Sequence, residues 1–404
     1  MSELLTPKLR FPKFDDNWST HNLSEISEQI KRKKEDISSE DNILTISANK
    51  GFISQKERWD NVIAGGSLKK YTYLKQNEFS YNRGNSKSFK FGCIYKLNNY
   101  KNALVPNVYH SFKITYGNTD FFEQLFKSKI LDKQLIKMIT STARMDGLLN
   151  ISAKNFFNIN VNFPNDLKEQ EKIGSFLKTI DTKIILLEQK YDNYLNFKKY
   201  LMQQIFTQKL RFNFSDEWKI VKLESLIKKG KAGGTPSSTN SDYYNGDIPF
   251  LSIRDMTEQG KYILKTEKTI TEEGLNNSSA WIIPKNSLLY SIYASIGLVA
   301  INRSDISTSQ AIYGIILKEG VSLEYMYYYL TYFKKNIHKY IETGTQGNLN
   351  AKLLKSFEIL LPSLEEQEMI VNVLSIVDEK IENSKKEIEK INEFKKGLLQ
   401  QMFI

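Results

Sequence analysis

The sequence holds one cysteine, three histidines and eight prolines in 404 residues. A single thiol, Cys93, excludes a disulfide within the chain and fits a reducing compartment. His21, His110 and His338 stand far apart, so with one cysteine they supply no zinc set. No Gly-x-Gly occurs, which leaves a dinucleotide or methyl-donor glycine loop without support. The stretch GKAGGT at 230–235 is glycine-rich but lacks the spacing of a phosphate-cradling P-loop. No two prolines are adjacent, so the Asp/Asn-Pro-Pro-aromatic motif of amino-methyltransferases is missing. The acid pairs Asp15–Asp16, Glu272–Glu273 and Glu365–Glu366 are neighbours in sequence, and the last opens a helix, where carboxylates are electrostatically welcome. No catalytic constellation is legible, and the chain reads as non-enzymatic with no metal site.

Long apolar runs are also missing. The most apolar stretch, LLYSIYASIGLVAI at 288–301, is too short and too polar to span a bilayer, and reads as two buried strands around Gly297. The N-terminal MSELLTPKLRFPKF has no signal-peptide core. The expectation is a soluble protein of the cytoplasm. What the chain has in excess is positive charge, +11 with a pI near 9.2, which points to an anionic partner, nucleic acid first.

It also has an internal repeat. Leu167–Phe206 matches Leu364–Phe403 at an offset of 197, with EQE on EQE and FKK on FKK. Ile173, Leu177, Ile180, Ile184, Leu187, Tyr191, Tyr194, Leu201 and Ile205 follow a 4-3-4-3 spacing broken only at Lys198. Ile370, Leu374, Val377, Ile381, Ile388, Ile391, Leu398 and Met402 repeat it, with Ser384 and Lys395 as weak points. Sustained 3.5-residue spacing predicts a coiled-coil helix with one narrow apolar stripe, whose simplest partner is the other copy. Each helix would be roughly 57 Å long. A second echo, KLRFPKFDDNW from Lys8 and KLRFNFSDEW from Lys209, precedes each domain.

The repeat unit is therefore arm, domain, helix. The boundaries read as an arm at 1–19, a first domain at 20–162, a long helix at 163–207, a second domain at 208–361 with its arm at 208–218, and a second long helix at 362–404. The first domain opens with a helix at Leu23–Ile30, continues in short strands and ends in a helix at 121–140. The second follows the same plan, with a helix at 323–341. Both end in a Gly/Asn-rich loop, a strand and Pro164 or Pro362. The fold class is α+β: two mixed α/β domains joined by two long antiparallel helices in pseudo-twofold repeat, with the domains at opposite tips of a rod. That spacing would cover roughly 15–17 base pairs of a duplex.

Arg, Asn and Gln suit base edges, whereas Lys and backbone amides suit phosphates. On that chemistry the candidate DNA contacts in the first domain are Lys50, Lys69, Lys70, Asn82, Arg83, Asn85, Lys87 and Arg144. In the second they are Lys231, Thr235, Ser237, Arg254, Tyr290, Gln310, Gln346 and Asn348. Trp18 and Trp218 recur beside the scaffold and read as packing residues. Lys198 and Lys395 break the seam in register and are candidates for a partner interface.

The segments GGTPSSTNSDYYNGDIPFLSIRDM (233–256), TSQAIYGIIL (308–317), TGTQGNLNAKLLKSFEILLPSLEEQEMI (343–370) and ARMDGLLNISAKNFFNINVNFPNDLKEQEKI (143–173) resemble the specificity subunit of type I restriction-modification systems. The likeness runs over essentially the whole chain. Tyr244 stands where that family often has Trp, and the first domain has TISANKGFISQKERW (45–59) in place of the GGTP pattern. The resemblance implies two target recognition domains, each reading half of an asymmetric split site in double-stranded DNA, with the helices setting the spacer. It also implies two modification subunits bringing S-adenosylmethionine and two restriction subunits bringing ATP and Mg, and no cofactor in this chain. A reading from another class is a coiled-coil scaffold with non-specific affinity for nucleic acid.

Overall fold

The computed structural model describes residues 5–38, 40–59, 65–84, 89–139, 148–339 and 349–404, the side chains of 65–67 excepted. It combines helix and sheet around two long helices, Leu167–Phe206 and Leu364–Met402, each within a few residues of the span read from the heptads. The chain divides into two compact units, Met1–Gln189 with Lys385–Ile404, and Lys190–Ser384. The division falls inside both long helices, so each unit holds half of each.

In the first unit the half-helices run antiparallel. Asp181 meets Lys395, and further back in the first helix's direction Asn162 donates to the Ile404 carbonyl. Ile173, Leu177, Ile180 and Ile184 share one core with Leu398, Met402 and Phe403. In the second unit Lys198 meets Asp378 and Arg211 meets Glu366, again with opposite directions, and Leu201 and Ile205 share a core with Ile370, Leu374 and Val377. Burying each such side chain is worth about 1.5–3 kcal/mol. Ser384, which breaks the apolar pattern, is nonetheless buried.

The repeated Glu-Gln dipeptide has a structural reason in both units. Glu169 is 1% exposed and takes both nitrogens of the Arg10 fork at 2.6 and 2.7 Å. Glu366, equally buried, takes Arg211 at 3.2 and 2.9 Å and the Trp218 indole N–H at 3.0 Å. Each arm is thus fastened to its helix start by a charge-assisted bidentate pair. Gln170 accepts from the Asn118 amide and donates to the Pro164 carbonyl; Gln367 does the same with Ser322 and Pro362. Asn118 and Ser322 cap the helices Thr119–Lys127 and Leu323–Phe333, so one glutamine ties each long helix to a bridging helix.

The sheets above these frames differ. The first unit has a four-stranded antiparallel sheet in the order Ser27–Gln29, His110–Ile114, Phe79–Asn82, Cys93–Lys96. Phe79 stacks on Phe112 with ring centroids 5.4 Å apart, and Phe126 of the bridging helix closes edge-on over both. The second unit has a five-stranded mixed sheet in the order Ile227–Ala232, Ile312–Leu317, Leu288–Ser291, Val299–Asn302, Tyr262–Ile263. The tyrosines of its bridging helix pack inward: Tyr325 donates to the Leu360 carbonyl, and Tyr328 to Asp378 at 2.6 Å. In both units a short antiparallel pair closes the base, Ser19–Asn22 on Asn160–Phe163 and Lys219–Lys222 on Glu358–Leu361.

Three local expectations change. The opening helix stops at Ile26 and the chain becomes a strand, because Ser27–Gln29 pairs with Phe112–Ile114. The helix expected over 121–140 breaks into Thr119–Lys127 and Asp132–Met138 at Lys129, whose φ of 63° no helix accommodates. The helix expected over 323–341 tightens after Phe333 into a 3₁₀ turn, Lys334–Lys339. The two buried strands flanking Gly297 are present.

Candidate nucleic-acid interface

In the second unit, three connections gather at one end of the five-stranded sheet. They are residues 233–240, 292–298 and 308–311, and backbone hydrogen bonds join them. Gly233 donates to Ile312 at 3.0 Å, Gly234 to Thr308 at 2.9 Å and Ile292 to Ala311 at 2.8 Å. The two glycines are required by contact: a Cβ at Gly233 would strike the Thr308 carbonyl, and one at Gly234 would strike Ser279 and the Ala280 amide. The loop Tyr293–Ile296 is held by Ser291, whose hydroxyl donates to the Ser295 carbonyl and accepts from the Leu298 amide, both at 2.8 Å. Ala294 and Ser295 sit at φ 44° and 53°, a left-handed conformation that costs a non-glycine residue about 1–2 kcal/mol.

The exposed side chains here are polar. The Thr235 hydroxyl donates to Gln310 Oε1, Ser237 bonds Thr239 at 2.8 Å, and Tyr244 donates to the Pro236 carbonyl. Thr235, Ser237 and Gln310 are exposed, so the structure brings three of the sequence candidates to one end. Lys231 is exposed on the adjoining strand. The exposed Lys334 lies beside Gly297, which keeps a basic turn next to the Tyr293 loop.

Two candidates of the second domain stand elsewhere. Tyr290 is corrected outright: its side chain has zero exposure, and its hydroxyl lies in the core without a hydrogen-bond partner. Its strand is covered on both faces, so it presents no polar side to a duplex, and burial pushes the phenol pKa up. Arg254 is exposed, but its guanidinium is engaged by Glu258 at 2.8 Å and Glu267 at 3.5 Å.

In the first unit, Lys50 is exposed at the turn between Leu44–Ser47 and Gly51–Ser54, and Lys69 and Lys70 are exposed at the end of a 3₁₀ turn. Asn82 and Arg83 act as braces. Asn82 donates to the Ile46 carbonyl and accepts from the Gly84 amide; Arg83 donates to the carbonyls of Val108 and Ile151. Asn85, Lys87, Arg144, Gln346 and Asn348 lie outside the described residues.

Lys198 and Lys395 turn out to be paired inside their own units, 19% and 12% exposed, on Asp378 and Asp181. From these pairs a polar chain runs to each sheet. In the first unit it passes from Asp181 to Lys127, Glu123 and Lys96, the last on a sheet strand and 1% exposed. In the second it passes from Asp378 through the Tyr328 hydroxyl to Lys261 and Glu324. Burial, with the Glu324 carboxylate beside it, pushes the Tyr262 phenol up to about 12, so it stays a donor to that carboxylate. Cys93 is buried and its thiol is raised to about 12 by that burial, which makes it unreactive.

Two features escaped the sequence reading. Tyr293, 39% exposed, lies two residues beyond the buried strand, and no residue type marks it apart from the buried Tyr290. Arg58 lies over the Trp59 ring at 4.6 Å with Trp59 41% exposed, a cation and aromatic face suited to stacking. The adjacent Arg-Trp letters were the available signal. Among the described residues no helix is long and apolar enough to cross a membrane.

Residues 215–393 match the family described as the type I restriction modification DNA specificity domain. The MjaIX type I restriction enzyme specificity subunit of Methanocaldococcus jannaschii is 35% identical over 46% of this chain and 44% of its own length. The HindI specificity subunit of Haemophilus influenzae is 33% identical over 33% of this chain and 29% of its own length. The chain thus spans under half the length of these two curated relatives. A crystal structure of the S subunit of a type I restriction-modification system from M. genitalium matches with a TM-score of 0.60 at 14% identity, covering 99% of both chains, and shares the fold. A structure described for complex assembly and conformational transition of the type I R-M system gives 0.59 at 14% identity, over 97% of this chain and 98% of that one.

Proposed function

We propose that this chain, whose residues 215–393 match the type I restriction modification DNA specificity domain, is the non-catalytic DNA-reading subunit of a type I restriction-modification complex. The observation that carries this is one frame used twice beneath two unlike heads. Arg10–Glu169 and Arg211–Glu366, Gln170 and Gln367, and the two seam lysines repeat, whereas a four-stranded and a five-stranded sheet stand above them. A repeated frame gives equivalent seats to two copies of a partner, and unlike heads read unlike sequence. Each domain then reads one half of an asymmetric bipartite duplex site, and the helices set the spacer.

In this reading the partners are two modification subunits and two restriction subunits, which carry S-adenosylmethionine, ATP and Mg, and the complex works in the cytoplasm. The modification subunits dock on the repeated Phe-Lys-Lys surface. Its outward members are Phe197 and Phe394, 49% and 57% exposed at matching positions, while the middle lysine of each is turned into its own unit. Exposed aromatics of this kind are common interface anchors.

The test replaces residues 20–162 with the corresponding domain of another specificity subunit and maps the methylated site. One half-site should change while the other and the spacer stay. A change in both halves, or in neither, sinks the modular reading. A coiled-coil scaffold with incidental basicity would instead bind DNA weakly, without sequence preference, and lose it steeply with salt.

A further inference from the structure

We infer that Gln310, oriented by Thr235 and flanked by Tyr293, reads an adenine in the half-site assigned to the second domain. This rests on the DNA-reading role proposed above and names a reader within it.

Three connections meet at the same sheet end, and two of them are built in ways that ordinary sequence avoids. Gly233 and Gly234 pass where no Cβ fits, and Ala294 and Ser295 are left-handed without being glycine. The left-handed pair is strain of a kind that persists where the surroundings enforce it and that clusters at binding sites. What the constrained segments hold out is exposed: Thr235 next to the two glycines, Gln310 between Ser309 and Ala311, and Tyr293 just ahead of the left-handed pair.

The contacts then specify chemistry. Thr235 donates its hydroxyl proton to Gln310 Oε1, which fixes the amide plane and leaves the Nε2 protons free of that bond. One lone pair of Oε1 remains. An amide so held offers one acceptor and one donor side by side, the pattern that complements N6–H and N7 of adenine in the major groove. Guanine presents two acceptors there and would oppose the Oε1 lone pair. The Tyr293 amide approaches the same Ala311 carbonyl that Ile292 uses, at 3.4 Å, which brings the exposed Tyr293 beside the residue that follows Gln310. The exposed Lys334, against Gly297, is placed for a phosphate on the flank.

The experiment uses the full chain assembled with its modification subunits and a duplex carrying its own mapped methylation site. Each position of both half-sites is substituted in turn and binding is measured at fixed salt. Gln310→Ala should weaken the intact site roughly 5- to 150-fold and lose discrimination at one adenine of the second half-site. Thr235→Val should weaken the same position to a smaller degree. Discrimination throughout the first half-site should stay as in the wild type, which reports that the variants are folded. Retained discrimination at every second-half position in Gln310→Ala overturns the inference, as does a loss shared by both halves. A wild-type complex with no sequence preference at all overturns the proposed function instead.

Discussion

Lys395 reaches across the seam to Asp181, and 197 positions earlier Lys198 reaches Asp378 in the other unit. The two pairs are the same interaction in the two repeats, since Asp181 and Asp378 are also 197 apart. The lysines that interrupt the heptads are therefore internal to the frame. Their surroundings differ, however. Asp181 also accepts from Gln124 and Lys127, whereas Asp378 has the Tyr328 hydroxyl. Burial disfavours the Asp181 carboxylate, but Lys127 and Lys395 outweigh it and hold its pKa below the usual value.

Removing one seam lysine should consequently cost more in the second unit than in the first. Lys198→Ala is expected to lower stability by about 1–3 kcal/mol, because the partly buried Asp378 keeps one neutral partner. Lys395→Ala should cost less, since Lys127 continues to balance Asp181. Urea unfolding of the full chain compares them, and Lys198→Ala with Asp378→Asn should recover part of the loss. Equal losses in the two single variants would contradict the difference in partners.

The apolar seam and the Glu-Gln helix starts were legible in the sequence because a long heptad run and a self-match report one physical requirement repeated many times. The heads were less legible. The strand Phe79–Asn82 is four residues long and central to its sheet, yet its pairing partners lie about 10 to 30 positions away, so nothing local announces it. Tyr290 and Tyr293 look alike as letters, and only the covering of both sheet faces buries the first and leaves the second out. Asn82 and Arg83 have the right chemistry for bases but spend it on neighbouring carbonyls, a choice that tertiary packing makes. Thr235 and Gln310 could be named as candidates because loop polarity is visible in sequence; their hydrogen bond could not, because 75 positions separate them.

Tyr290 offers a check on the corrected assignment. Its hydroxyl is buried without a partner, which is a desolvation cost with no return. Tyr290→Phe should leave stability unchanged or raise it by up to about 1 kcal/mol, and DNA affinity should not move. A loss of sequence-specific binding with intact folding would put this residue back in the interface.

Phe197 and Phe394 test the docking surface one unit at a time. Phe197→Ala and Phe394→Ala should each leave the thermal unfolding of the free chain within about 0.5 kcal/mol of wild type, as expected for surface positions. Each should remove one modification subunit from the assembled complex, and the double variant both, as read by native mass spectrometry. Full occupancy in the double variant would place the partner elsewhere.

His110 sets a pH dependence for the first unit. The ring is 9% exposed, its Nε2 lies 3.1 Å from the Ile151 carbonyl, and Phe156 and Tyr81 flank it. Burial lowers the imidazole pKa, the Ile151 hydrogen bond pulls the other way, and the nearby Arg83 charge lowers it further. The unfolded imidazole titrates near pH 6.5, about where free histidine does. The folded one titrates below that, so acid favours the unfolded chain. The contribution of this group is full above about pH 6.5 and is lost as pH falls from there through the folded pKa. His110→Gln keeps an N–H for the Ile151 carbonyl and removes the titration. Urea unfolding at pH 7.5, 6.5 and 5.5 should show a shallower decline in the variant than in the wild type, and parallel declines would exclude His110 as the source.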